Sequence, residues 1–245
     1  MAKKQKSTPV ALITGSSQRI GAAIARSLHA QNFNVVIHYL HSKTAALRLA
    51  KELNRQRSGS AISIQADLSS LVDLKNLRAM IQNTFDRLDV LINNASSFYA
   101  TPFETANEAD WDDLMASNLK GPFFLTQLFL KELKKRTGCI INIGDIYGER
   151  PLANYPVYCA AKAGLLMLTK SMAKDLGPAI RVNAIAPGSI LWPKEKLPTV
   201  IQQKILNRTV MKKLGSPADI AQTVLFLIRS SYITGQIIHV DGGRF

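Results

Sequence analysis

The feature that most constrains this chain is an alternation of short β-branched runs with stretches of helical periodicity, carried from end to end without a hairpin signal. Val10–Ile13, Val35–Tyr39, Ile62–Ala66, Val90–Asn93, Ile140–Ile143, Val182–Ile185 and Ile237–Val240 read as seven strands, mostly apolar on both faces. Helices are expected over Ile20–Gln31, Lys43–Arg57, Leu71–Asp86, Asn107–Arg136, Tyr155–Leu176 and Pro217–Arg229. Strands linked through helices run parallel, because each crossover returns the chain to the same edge, and a parallel sheet needs both of its faces covered. The expected fold is therefore α/β: a doubly wound, seven-stranded parallel sheet with helices on both faces. Nothing divides the 245 residues, so 1–245 reads as one domain. Residues 1–8 are expected to be a flexible basic tail. The weakly patterned stretch 188–214, with Pro193 and Pro198, is expected to be a substrate flap over the carboxyl ends of the strands.

Composition removes other classes. Apolar runs such as Pro9–Ile13 are far shorter than the ~20 residues that span a bilayer, so no membrane role is expected. The basic start lacks the apolar core of a signal peptide, which makes a cytoplasmic location the default. Cys139 and Cys159 sit in no metal-ligand spacing and form no disulfide framework, so no metal site is expected. A net charge of +14 attracts polyanions, whether nucleic acid, a nucleotide cofactor or an anionic substrate. The basic residues are scattered, without the aromatic interleaving of a single-strand binder, and read better as solvated helix faces than as a nucleic-acid surface.

Chemistry enters after the first strand. Thr14-Gly15-Ser16-Ser17-Gln18-Arg19-Ile20-Gly21 runs directly into a helix, where glycines allow a tight turn and helix-terminal amides can face a pyrophosphate. An NAD site would place an acid after the second strand to accept from the ribose 2′-hydroxyl. Here the sequence is His38-Tyr39-Leu40-His41-Ser42-Lys43; with Arg19, His41, Ser42 and Lys43 available to a 2′-phosphate, NADPH is favoured. Tyr158 and Lys162 stand one helical turn apart on one face, where an ammonium would favour ionisation of a phenol whose pKa is ordinarily about 10.

These motifs, with Asp67, Asn93–Ala95, Asn118, Pro187–Gly188 and Asp241–Gly243, resemble those of the short-chain dehydrogenases/reductases, and the resemblance covers Val10 to Gly243. It implies a Rossmann-type domain. It makes Tyr158 the proton donor, with Lys162 holding the nicotinamide ribose and lowering the tyrosine's pKa. Asn118 would anchor a proton-relay water and Asp67 would meet the adenine. The implied cofactor site comprises Gly15, Ser17, Arg19, Ile20, Gly21, His38, Tyr39, Leu40, His41, Ser42, Asp67, Leu68, Asn94, Ala95, Ser96, Tyr158, Lys162, Pro187, Gly188 and Ser189. A homotetramer built on the helices at Asn107–Arg136 and Tyr155–Leu176 is also implied.

Two departures narrow the reading. Arg19 replaces the middle glycine of the usual first motif, and Asp145 replaces the serine usually found thirteen residues before the tyrosine. A carboxylate repels a carbonyl oxygen gaining negative charge, yet suits a nitrogen heterocycle with N–H donors. Together with Asn94-Ala95-Ser96-Ser97-Phe98-Tyr99, the departures resemble the pteridine reductases and dihydromonapterin reductases. That resemblance implies Asp145, Tyr158, Lys162 and Asn118 as the catalytic group. Arg19 would contact cofactor phosphate, and Ser96, Phe98, Asp145, Tyr158 and Trp192 would surround a pterin or folate lying against the Phe98 ring. The expected activity is NADPH-dependent reduction of dihydropterin to tetrahydropterin, with oxidised pterin and dihydrofolate as further substrates. A carbonyl or 3-oxoacyl thioester reductase, and a non-catalytic nucleotide-sensing or RNA-binding protein, stand as the alternatives.

Overall fold

The computed structural model describes residues 8–192 and 198–244. The basic tail therefore lies outside the described residues except for Thr8, as do Pro193 and residues 194–197 of the flap. Seven strands form one parallel sheet: β1 (Val10–Ile13), β2 (Asn34–Tyr39), β3 (Ala61–Gln65), β4 (Val90–Asn93), β5 (Cys139–Ile143), β6 (Arg181–Pro187) and β7 (Ile237–Val240), in the order β3-β2-β1-β4-β5-β6-β7. The crossovers are made by α1 (Arg19–Ala30), α2 (Lys43–Gln56), α3 (Leu71–Phe85), α4 (Glu108–Met115), α5 (Gly121–Leu128), α6 (Leu130–Lys134), α7 (Pro156–Leu176) and α9 (Pro217–Arg229), with α8 (Thr199–Asn207) between the last two. This is the doubly wound arrangement expected from the alternation.

Period-two alternation divides each strand between two cores. Ala11, Ile13, Val35 and Ile37 pack with Ile24 and Leu28 of α1, Leu49 and Leu53 of α2, and Val224 and Leu227 of α9. Val10, Leu12 and Val36 point the other way, against Leu74, Leu77 and Ile81 of α3 and against Leu125, Phe129 and Leu133. The helices start where local chemistry starts them. Ser70 accepts the Asp73 amide ahead of α3, Asn107 and Asp110 form a reciprocal capping box on α4, and Ser216 and Asp219 do the same on α9, with Pro217 in its first turn.

Several boundaries differ from the sequence reading. Asn34 joins β2 because its amide donates to Pro9 O (2.8 Å). The third strand is Ala61–Gln65 rather than Ile62–Ala66, in register from Val35↔Ala61 to Tyr39↔Gln65. The sixth extends to Pro187, which pairs with Val240. The single helix expected over Asn107–Arg136 is three helices joined by a wider π-helical segment, Ala116–Lys120, and a break at Phe129. Proline supplies the reason for the first interruption: Pro122 has no N–H to give the Asn118 carbonyl four residues back. The expected flap carries α8, so part of it is helical.

Replacing Leu12, wholly buried at the centre of β1, with alanine removes contacts to both the strand neighbours and α3. It should lower the free energy of unfolding by about 3 kcal/mol in a urea titration.

Candidate active site

The sheet reverses its winding between β1 and β4, which are hydrogen-bonded neighbours, and a crevice opens at their carboxyl ends. Thr14 Oγ1 accepts the amides of Asn94 and Ala95, both at 2.9 Å, and Asn94 Nδ2 donates to the carbonyls of Thr14 (2.8 Å) and Gly15 (3.1 Å). The glycine loop is thereby bolted to the turn after β4. Gly15 has φ +59°, and a Cβ on Gly21 would lie 2.6 Å from Gly15 O and 2.7 Å from Asn94 Nδ2, so both positions require glycine.

Above this loop lies a cavity of about 710 Å³ lined by Gly15, Ser17, Arg19, Ile20, Gly21, His38, Tyr39, Leu40, His41, Ser42, Asp67, Leu68, Asn94, Ala95 and Ser96, all of them anticipated from the sequence. Other anticipated residues lie elsewhere. Lys43 is the first residue of α2 and is not in this lining; Gly188 and Ser189 line a second cavity; Pro187 is buried and lines neither. His38 is turned inward, accepting the Gly15 amide at Nδ1 (3.0 Å) and donating from Nε2 to Ala66 O (3.0 Å). Burial holds its pKa below the ordinary histidine value, so the neutral ring that this pair of bonds requires is the stable one. Its sequence position suggested a cofactor contact; its bonds make it a support for the glycine loop.

Arg19 sits at φ +52°, a left-handed conformation that costs a side-chain-bearing residue about 1 kcal/mol and glycine nothing. Its guanidinium donates to Trp192 O (3.1 Å), joining the glycine loop to the segment after β6 rather than to His41 and Ser42. Arg19 also lines the first cavity, where the sequence reading placed it near a cofactor phosphate.

The second cavity, about 980 Å³, has Asp145, Tyr158, Phe98 and Trp192 in its wall. Tyr158 donates to Asp145 Oδ2 (2.8 Å), while Asp145 Oδ1 accepts the Tyr147 amide (2.9 Å) and caps the short turn Ile146–Gly148. Lys162 is buried beneath, donating to Ile143 O (3.0 Å), with its Nζ 5.7 Å from the centre of the Tyr158 ring. Ser96 donates to Asn118 Oδ1 (2.6 Å). Asn118 in turn donates to Leu114 O (2.9 Å) and Ser97 O (3.0 Å). One polar link thus joins Tyr158 to Asp145, and another joins Ser96 to Asn118.

Electrostatics here depart from the sequence expectation. Tyr158 is not lowered by Lys162: burial raises its pKa well above the phenol value, and the Asp145 carboxylate raises it further. Burial likewise raises Asp145, opposed by the Tyr147 amide and by Lys162. Burial lowers Lys162 to about 8, against the pull of Asp145. The carboxylate lies in hydrogen-bond contact with the phenol, whereas the ammonium is engaged by a backbone carbonyl, so the phenol is held in its neutral form.

Phe98 is 52% exposed; it stacks on Tyr155 at 4.7 Å and 13° and meets Tyr158 edge-on at 4.8 Å. Sequence reasoning missed Tyr147, Arg150, Lys204, Arg208 and Arg244, which also line this cavity. Arg244 donates to Tyr147 Oη (2.8 Å) and to Ser189 Oγ, and Arg150 donates to the Arg244 carbonyl. Only their excess of positive charge was visible in sequence.

Fold and site together define an oxidoreductase that works with a nicotinamide dinucleotide. The chain belongs to the short-chain dehydrogenase/reductase family. A family model described as enoyl-(acyl carrier protein) reductase matches residues 15–244. The chain is 36% identical to the 3-oxoacyl-[acyl-carrier-protein] reductase FabG of Staphylococcus aureus, covering 98% of this chain and 99% of the relative. It is 34% identical to pteridine reductase 1 of Leishmania tarentolae, covering 96% of each, and 33% identical to a putative ketoacyl reductase of granaticin polyketide synthesis in Streptomyces violaceoruber, covering 99% and 98%.

Burying Lys162 has a measurable consequence. Its native pKa of about 8 lies below the ordinary 10.5, so the folded state binds that proton more weakly than the unfolded state. Up to pH 8 the cofactor-free protein bears the full penalty of the buried charge, and the penalty fades as pH rises to 10.5. Lys162→Met should therefore melt about 5 °C higher than the unmodified protein at pH 7, with the gap closing between pH 8 and 10.5 in parallel thermal scans.

Proposed function

We propose that the protein reduces pteridines with NADPH, taking dihydropterin to tetrahydropterin, with oxidised pterin and dihydrofolate as further substrates. The observation that carries this reading is the hydrogen bond from Tyr158 to Asp145 in the wall of the second cavity. A carboxylate there opposes charge building on a carbonyl oxygen and accepts from the amino and ring N–H groups of a heterocycle. The half-exposed Phe98 ring in the same wall offers a flat apolar face to a planar bicycle.

The first cavity fits the proposed cofactor. A Cβ on Gly21 would collide with the cradle, and α2 is preceded at its N-cap by Ser42, whose hydroxyl makes no capping bond, and has no acid in its first turn. Those features suit a 2′-phosphate at a helix N-terminus. Bound there, NADPH supplies the hydride for a ring carbon. The chain's own residues handle the proton. Tyr158 Oη gives its proton to the adjacent ring nitrogen, completing addition across the C=N bond. Asp145, accepting from the phenol at 2.8 Å, orients that proton before transfer, and solvent re-protonates Tyr158 afterwards. Lys162 balances the charge of the pair from below.

Reduction of a 3-oxoacyl thioester is a second reading, and whole-chain similarity backs it more than the first, with 36% identity to FabG against 34% to pteridine reductase 1. It would use the same Tyr158 and Lys162. Asp145 is the residue that separates the two. The family resemblance also supports a homotetramer in the cytoplasm, assembled through the apolar face around Met115, Phe123 and Met167.

Asp145→Ser should reduce dihydropterin turnover by about a hundredfold or more while NADPH affinity and melting temperature hold, and activity on an activated diketone should persist or rise. Unchanged pterin turnover in the folded variant would return the choice to the thioester reading. In the unmodified protein, pterin turnover should fall as pH rises, because the proton-bearing form of the pair is lost, with a midpoint above the ordinary carboxylate range. For the cofactor, NADPH should bind more tightly than NADH, and Ser42→Asp should cost NADPH about tenfold or more and spare NADH in a fluorescence titration.

A further inference from the structure

Cations that are scattered along the sequence are gathered by the fold at the amino-terminal edge of the sheet, opposite to the candidate active site. There Asp89 N donates to Val10 O (2.9 Å), Cys139 N to Asp89 O (3.0 Å) and Arg181 N to Gly138 O (3.1 Å), so the starts of β1, β4, β5 and β6 lie side by side. The chain reaches β5 through the end of α6, where Lys131, Lys134, Lys135 and Arg136 are all exposed, and reaches β6 through the end of α7, where Lys174 is exposed. Residues 1–7, which lead into β1, hold three lysines and no acid.

The acids of this edge do little to screen those charges. Glu132 accepts from Arg78 (2.6 Å) and Gln82, and Asp89 accepts from Arg87 (2.6 Å) and from the Val10 amide (2.8 Å). That leaves Asp86 and Asp175 exposed beside Lys131, Lys134, Lys135, Arg136 and Lys174, which among the described residues enter no ion pair. One or two cations complement the carboxyl end of a helix, and four within residues 131–136 exceed that need. Between α3 and α6 they open onto a cleft of about 160 Å³ lined by Arg87, Lys131, Lys135 and Arg136 together with Gln82, Asp86 and Glu132, less than a quarter of the volume of the first cavity, at about 710 Å³. A cleft of that size has room for a phosphate group and none for a dinucleotide.

The exposed residues interleaved with these cations, Asn83, Thr84 and Thr137, are polar. They can hydrogen-bond phosphate and sugar oxygens, and they offer neither a flat ring for an unpaired base nor an apolar wedge for a bilayer. Adjacent strands stand about 4.8 Å apart, so the edge from β1 to β6 spans about 15 Å, the reach of several phosphates on a duplex. Reading the cations as plain solvated helix faces is revised for this edge.

We propose that the end of α6, the turn between α3 and β4, and the end of α7 form a surface that binds the phosphate backbone of double-stranded nucleic acid without reading its sequence, while the oxidoreductase site at the other end of the strands stays open. The proposal is independent of which substrate is reduced.

The test is fluorescence anisotropy with labelled DNA duplexes of about 20 base pairs and two unrelated sequences, titrated between about 50 and about 300 mM salt. The unmodified protein should bind both duplexes alike. Lys131→Gln/Lys135→Gln/Arg136→Gln should raise Kd about tenfold or more and lower the slope of log Kd against log salt by about two to three. Arg48→Gln/Lys51→Gln/Arg55→Gln removes the same charge from exposed positions on α2, which packs on the other face of the sheet, and should change Kd by about twofold or less. Melting temperature and NADPH affinity should be the same in all three proteins, and saturating duplex should leave NADPH binding unchanged. Equal losses in the two variants would overturn the surface in favour of net charge alone, and competition between duplex and NADPH would overturn it by placing the duplex on the first cavity. Absence of duplex binding at about 50 mM salt would overturn it as well. In that case, retention on phosphatidylcholine vesicles carrying about 30% phosphatidylserine, lost in the first variant, would assign the edge to a lipid surface instead.

Discussion

The architecture depends on one small tie. Thr14 Oγ1, accepting two amides from the turn after β4, holds the carboxyl end of β1 against that of β4 where the sheet changes its direction of winding. Without it, the crevice at a topological switch point is only a gap between two loops. With it, the gap becomes a wall of fixed backbone, and Asn94 closes the arrangement by donating back to the Thr14 and Gly15 carbonyls. His38 supports the same loop from β2, so three strands converge on the Gly15 region. All three contacts are made by neutral groups, His38 being held neutral by its burial.

Against that neutral frame, the chemistry is concentrated in a buried charged pair. Asp145 and Lys162 are held under cover with Tyr158 between burial, carboxylate and ammonium. Burying ionisable groups is costly, and each pKa is displaced in the direction that neutralises its group. The serine usually found in the family at position 145 would spare the protein part of that cost. Retaining a carboxylate there is the kind of local expense that structures carry at working sites.

Much of this was legible in the sequence, for identifiable reasons. Strands buried on both faces, such as Val10–Ile13, show as continuous apolar runs, and helices such as Pro217–Arg229 announce their own caps, so topology followed from pattern. The glycine cradle and the Tyr158–Lys162 spacing are local, and spacing preserves local geometry. What spacing could not convey was partnership over long separations. Arg244 reaches Tyr147 across the chain, His38 turns toward Gly15, and Lys162 engages a carbonyl instead of the phenol. The break in the expected Asn107–Arg136 helix had a visible signal in Pro122, although apolar periodicity continues through it.

Arg19 deserves a thermodynamic reading of its own. One guanidinium belongs to the wall of the first cavity and hydrogen-bonds the Trp192 carbonyl at the edge of the second. A group shared in this way makes the two occupancies a linked equilibrium: any ligand that draws the guanidinium toward itself alters what the Trp192 segment is bonded to, and linkage requires the influence to run equally in both directions. The residue that joins them holds a left-handed backbone conformation at a cost of about 1 kcal/mol.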